Sequence, residues 1–169
     1  MKKKIMIIDG YNVIHRIPEL SKRLSNSLES AREGLISYCK KWRMTRRDIS
    51  ECYVVFDGDS SVLGARSQVA RGIRVVCTKT KESADDRILN LIEQGHGTGE
   101  YVVVSDDNKV CQGSRRLDAK VISVSEFYGT LTTKRKLEQK IPRDDTKASL
   151  SPKEEKEITE SLKKEWGID

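Results

Sequence analysis

Short, unbroken apolar runs, each closing on a polar turn, set the frame of this chain. The first is Ile-Met-Ile-Ile at residues 5–8, stopped by Asp9-Gly10. Four apolar residues in a row fit a strand covered on both faces, as in the middle of a parallel sheet; a half-exposed strand would alternate. The pattern returns at residues 52–56, closing on Asp57-Gly58, and at 72–77. It returns again at 101–105, closing on Asp106-Asp107, and in a short run at 120–124.

Helical periods lie between these runs. Residues 12–25, with Pro18, read as a loop. Asn26 or Ser27 then caps a helix whose apolar positions Leu28, Ala31, Leu35, Cys39 and Trp42 recur at three and four, with Arg32 and Glu33 on its polar, solvated face. Ser83-x-x-Asp86 has the form of a capping box, with Asp86 returning to the cap backbone, and opens a helix carrying Ile88, Leu91 and Ile92. Residues 108–117 read as helical, and Ser125 caps one further turn with Phe127 and Tyr128. This alternation predicts an α/β fold with a mainly parallel sheet and helices on both faces, over residues 1–131. Residues 132–150 lose the apolar period and read as a charged linker. Ser151-Pro152 with Glu154 then starts a C-terminal helix, 151–169, whose stripe of Ile158, Leu162 and Trp166 would dock on the domain or on a partner.

Size and charge narrow the function. At 169 residues the chain can bury a sizeable core, and its net charge is +6. Nearly all of that excess falls on residues 1–129, the part that also holds the acidic strand ends. A basic surface around an acidic pocket suits a polyanion held by its phosphates while a metal works on it. Cys39, Cys52, Cys77 and Cys111 form no C-x-x-C pair and lie in apolar patterns, as core thiols of a cytoplasmic protein do. The apolar stretch near the N-terminus is too short for a signal peptide or a membrane span.

One acid after a strand is an ordinary turn, but here the motif recurs. Asp9, Asp57 and Asp106-Asp107 end strands, and Asp85-Asp86 opens a helix; a parallel sheet brings all of these to one edge. Packed carboxylates repel one another unless a cation sits among them, and oxygen ligands without His or Cys select Mg²⁺ or Mn²⁺. Asn12 is placed to bond a phosphate or to hold an acid. Haloacid-dehalogenase phosphatases and receiver domains also gather acids at strand ends. The former want a second acid where Tyr11 stands, and the latter want paired acids where Gly10 follows Asp9.

The stretches Ile-Asp9-Gly-Tyr-Asn12-Val-Ile, Ala31-Arg32-Glu33, Val-Val-Phe-Asp57-Gly, Ser83-Ala-Asp85-Asp86-Arg-Ile and Val-Val-Ser105-Asp106-Asp107 resemble, in order and spacing, the YacP-like NYN domains, relatives of PIN-type nucleases. The resemblance covers roughly residues 5–131. It implies a PIN-like three-layer α/β/α sandwich and metal-dependent endoribonuclease activity. By position it implies Asp9, Asp85 and Asp106 as ligands of Mg²⁺ or Mn²⁺ with Asn12 beside them, Asp86 and Asp107 as second-choice ligands, and Asp57 in support. One branch of the family cuts messenger RNA on the ribosome, although the stretch after Asp107 is shorter here than in that branch. The resulting expectation is an endoribonuclease of single-stranded RNA, with messenger RNA and the ribosome as candidate partners. Arg32, Arg66, Arg71, Lys79, Lys81, Lys109, Arg115 and Arg116 are the candidate phosphate contacts. Lys79 and Lys81 lead these, since they precede the acid-bearing helix. The rival expectations are a non-catalytic RNA- or ribosome-binding module and, behind it, a small-molecule phosphatase.

Overall fold

The computed structural model describes residues 3–58, 72–78 and 81–140, with side chains through residue 132. In chain order the elements are β1 (Lys3–Asp9), α1 (Gly10–Arg16), α2 (Pro18–Leu24), α3 (Leu28–Arg43), β2 (Ile49–Phe56), β3 (Ile73–Cys77), α4 (Ala84–Gln94), β4 (Gly99–Val104), α5 (Asn108–Arg116), β5 (Lys120–Ile122) and α6 (Val124–Lys140). The five strands form one sheet in the order β3-β2-β1-β4-β5, every pair parallel. Met1–Lys134 forms one compact unit and Arg135–Asp169 a second, of which the helix end 135–140 is described.

The sheet is central because β1 is apolar on both faces. Met6 and Ile8 join one core with Val13, Ile14 and Leu20 of the first two helices, Leu35 and Cys39 of α3, and Val124 and Phe127 of α6. Ile5 and Ile7 point the other way, into a second core with Ala84, Ile88 and Ile92 of α4 and Val110 of α5. Period-two alternation thus feeds two cores from one strand, giving a three-layer α/β/α sandwich. Cys39 and Cys52 lie fully inside; burial drives both thiols up, that of Cys52 to about 12, so neither is a nucleophile at neutral pH. None of the four cysteines forms a disulfide. Among the described residues no helix is long and apolar enough to cross a membrane.

Two expectations change. The stretch expected as a loop at 12–25 is two short helices: Val13, Ile14, Ile17 and Leu20 are buried at helical spacing, and Pro18 is the first residue of α2, where its missing N–H costs nothing. The single turn expected after Ser125 is a helix of 17 residues. Its first turn is capped two residues earlier, by Ser123 Oγ accepting from Glu126 N at 3.1 Å. It runs through Lys140, into the stretch read as linker. Thr130 and Thr132 bond back to the carbonyls of Phe127 and Tyr128 at 2.7 and 3.1 Å, which satisfies their hydroxyls within the helix. Trp42 anchors α6 to α3 through an edge-on contact with Phe127 at 5.3 Å and a bond from Nε1 to Thr130 Oγ1 at 3.2 Å. The expected tail helix, with Ile158, Leu162 and Trp166, lies outside the described residues.

Backbone elements crowd closely at the turn from β1 into α1. A Cβ on Gly10 would lie 2.4 Å from the Phe56 ring and 2.7 Å from the Val55 carbonyl oxygen. The carbonyl belongs to the neighbouring strand and cannot rotate away. Gly10→Ala is therefore expected to destabilise the fold by about 1–3 kcal/mol through overpacking. A urea midpoint equal to that of the parent chain would show that β2 yields.

Candidate active site

Because every strand is parallel, Asp9, Asp57 and Ser105 emerge on one edge of the sheet, where α4 and α5 also begin. Asp9 is the most deeply buried of these acids, 7% exposed. Ser105 Oγ donates to its Oδ2 at 2.9 Å, and the backbone N–H of Asn12 also bonds its carboxylate. Burial outweighs these bonds and raises the Asp9 pKa to about 6, and the negative charges of Asp85 and Asp107 push in the same direction.

The other acids divide their duties. Asp107 caps α5: its Oδ1 accepts from Lys109 N at 2.8 Å and Val110 N at 3.1 Å, while its own N–H donates to Ser105 Oγ at 3.1 Å. Ser105 thereby joins Asp9 to Asp107 through a single hydroxyl. Asp106 is turned toward α6 and α1, its Oδ1 accepting from Val124 N at 3.1 Å and its Oδ2 lying 3.9 Å from Arg16 Nε. Asn12 holds this turn, its Oδ1 accepting from Asp106 N at 2.9 Å. Asp57 Oδ1 accepts from Thr78 Oγ1 at 3.0 Å and Ala84 N at 3.1 Å, which fixes the entry to α4.

At the start of α4 the Ser83 hydroxyl accepts from Asp86 N at 3.1 Å and donates to Asp86 Oδ2 at 2.8 Å. The expected capping box forms: the Asp86 carboxylate returns to the Ser83 backbone and also accepts from its hydroxyl. Ser83 and then Lys109 hold the Asp86 carboxyl below its ordinary pKa. Lys109 reaches across from α5, its Nζ 3.6 Å from both Asp85 Oδ2 and Asp86 Oδ1. The two helices come this close because Gly113 carries no side chain; a Cβ there would meet the Leu89 methyls at 2.8 Å.

Arg32, expected on a solvated helix face as a phosphate contact, is instead 3% exposed. Its Nη2 donates to the Tyr11 hydroxyl and, at 3.5 Å, to the Asp57 carbonyl oxygen. Its guanidinium carbon lies 5.2 Å from the Tyr11 ring centre and 5.4 Å from that of Phe56. An arginine can enter such a place because aromatic faces and carbonyl oxygens replace part of its hydration. Lys81, Lys109, Arg115 and Arg116 are exposed as expected. Arg66, Arg71 and Lys79 lie outside the described residues. Sequence reading passed over Ser105, Tyr11 and Arg16; a serine at the buried end of an apolar strand, directly before two acids, was the available signal for the first.

The donor chemistry fits a hard divalent cation: carboxylate oxygens with no histidine or thiol, one of them buried and reluctant to ionise. Among the described residues, though, no three acidic, histidine or cysteine side chains close into a metal-binding group.

The YacP-like NYN domain family matches the chain over residues 6–167. The uncharacterized protein YacP of Bacillus subtilis (strain 168) is 32% identical over 104 residues, which span 60% of this chain and 60% of that protein. The crystal structure of a mutant of Rae1 (YacP) from Bacillus subtilis is similar with a TM-score of 0.66 at 26% identity, covering 85% of this chain and 84% of that one. A second crystal structure of Rae1 (YacP) from Bacillus subtilis shares the fold at a TM-score of 0.66 and 24% identity, over 98% of this chain and 95% of the other. The strand-end acids thus stand on the fold their motifs implied, and with a match along nearly its whole length the chain belongs to the YacP-like NYN domain family of PIN-like nucleases.

Proposed function

We propose that this protein is a Mg²⁺- or Mn²⁺-dependent endoribonuclease that hydrolyses single-stranded RNA. The observation that carries the reading is the buried Asp9 carboxylate, with Asp85 and Asp107 near enough to raise its pKa. A cluster of this kind is unfavourable in itself and becomes favourable around a cation. Asp9, Asp85 and Asp107 would hold that ion; Asp106, the ligand expected by position, is engaged with α6 and Arg16 and would serve from the next layer. Bound there, a divalent ion supplies Lewis acidity at the scissile phosphate and lowers the pKa of the attacking water.

The chain's own residues supply the rest. Ser105 and the Asn12 backbone orient Asp9, and the Asn12 side chain fixes the Asp106 turn. Asp57 anchors the start of α4 and so the position of Asp85. Lys81, Arg115 and Arg116 are exposed cations suited to phosphates on either side of the cut. Hydrolysis adds water across the P–O3′ bond, leaving a 5′-phosphate and a 3′-hydroxyl.

The direct test is cleavage of an end-labelled single-stranded RNA with Mg²⁺ or Mn²⁺, with and without ribosomes. Asp9→Asn and Asp85→Asn, each confirmed to be folded, are expected to lose about 100-fold or more in rate. Cutting that survives both substitutions would reject the assignment. Binding of RNA or ribosomes with no cutting would favour a non-catalytic binding module.

The raised Asp9 pKa also has a thermodynamic signature. Between pH 3.8, the ordinary value, and about 6 the folded state keeps a proton that the unfolded state gives up. Stability therefore falls as pH rises across this window, and above it the ionised carboxylate costs the fold up to about 3 kcal/mol. Asp9→Asn, measured by urea unfolding in EDTA, is expected to gain on the parent chain by about 1–3 kcal/mol between pH 4 and pH 7.5. Added Mg²⁺ should narrow that gap at pH 7.5 by stabilising only the parent. A stability difference that does not change with pH would mean Asp9 is not destabilised by burial.

A further inference from the structure

Lys109 is the one described cation that touches Asp85, the carboxylate assigned above to the metal. Its backbone N–H is fixed by the Asp107 cap at 2.8 Å, so the side chain starts from a rigid point between α4 and α5. Its ammonium sits 3.6 Å from Asp85 Oδ2 and 3.6 Å from Asp86 Oδ1, and its side chain remains 64% exposed. A monovalent cation on a half-exposed carboxylate lowers the local negative potential and repels a divalent ion approaching the same oxygens. With 64% of its side chain exposed, Lys109 can withdraw into solvent when a stronger cation arrives.

We propose that Lys109 is a tethered counter-cation that competes with the divalent metal for Asp85, setting the metal affinity of the site below what its acids alone would give. This rests on the metal reading of the site. In an ion-pair role the ammonium does two things: it steadies the acidic helix start when no ion is bound, and it makes metal uptake depend on salt and metal concentration. A lysine serving only as a phosphate contact would leave metal affinity in the absence of RNA unchanged.

The test measures Mn²⁺ binding to the full chain without RNA, by calorimetry or by the electron paramagnetic resonance of free Mn²⁺. Lys109→Met is expected to bind Mn²⁺ about 5- to 10-fold more tightly, the scale of one unit charge a few ångströms from a divalent ion at high effective dielectric. The gain should shrink as ionic strength rises. Lys109→Arg, which keeps the charge, should bind as the parent does, and so should Lys41→Met, which removes an exposed charge near the C-terminal end of α3. Unchanged or weaker binding by Lys109→Met overturns the proposal, as does an equal gain in Lys41→Met, which would mark a net-charge effect. Asp85→Asn separates the two levels. If it abolishes binding while Lys109→Met changes nothing, only the lysine's role falls; if it binds as the parent does, the metal reading of Asp85 falls with it.

Discussion

The burial of β1 on both faces is the constraint from which the rest follows. The cover of the two helical layers extends to the last residue of the strand, Asp9, which therefore lies in the same dry environment. Its carboxylate is then costly to ionise, and two hydrogen bonds from Ser105 and Asn12 do not restore what hydration gave. Cationic charge at the same edge balances such a group once it is ionised. The parallel topology decides where that balance must occur, since it delivers the ends of β1, β2 and β4 and the starts of α4 and α5 to one side of the sheet.

The local hydrogen bonds show how few groups hold the acids apart. Ser105 donates to Asp9 and accepts from Asp107 N, so one hydroxyl fixes two elements of the cluster. Asp107 spends one oxygen on the first turn of α5, where the helix dipole favours a negative charge. Asp57 does comparable work for α4 through Ala84 N. Structural and chemical roles are therefore shared within single carboxylates. A substitution at Asp107 or Asp57 would change helix position as well as charge, whereas Asp9→Asn mainly changes charge.

The strands were legible in the sequence because residues buried on both faces leave unbroken apolar runs, and three of the five runs closed on an acid. That is why the sheet edge and most of its acids could be named from residue order alone. The first two helices were not legible: each spans only two turns, and Pro18 is as common in a loop as at a helix start. The length of α6 was hidden by Gly129 and its run of threonines, whose poor propensity is offset by packing of Phe127 and Thr130 on Trp42. Side-chain direction was the other gap. Adjacent acids such as Asp106 and Asp107 are equivalent in a string of letters, but outside a helix the backbone sends them to opposite tasks, one to α6 and Arg16 and the other to the α5 cap.

Arg32 and Lys109 complete the electrostatic account, and their difference explains why only one of them can exchange with a ligand. Arg32 is closed in at 3% exposure, between the Tyr11 and Phe56 rings, with its Nε and Nη1 buried and without a hydrogen-bond partner among the described residues. A guanidinium cannot shed its proton, so it remains a fixed positive charge beneath the turn that follows Asp9. Moving it would break contacts to three elements at once. Lys109 has two ion pairs, a flexible stem and open solvent around it, so leaving Asp85 requires only rotamer changes. The fixed charge shapes the site, and the mobile one decides how readily another cation enters it.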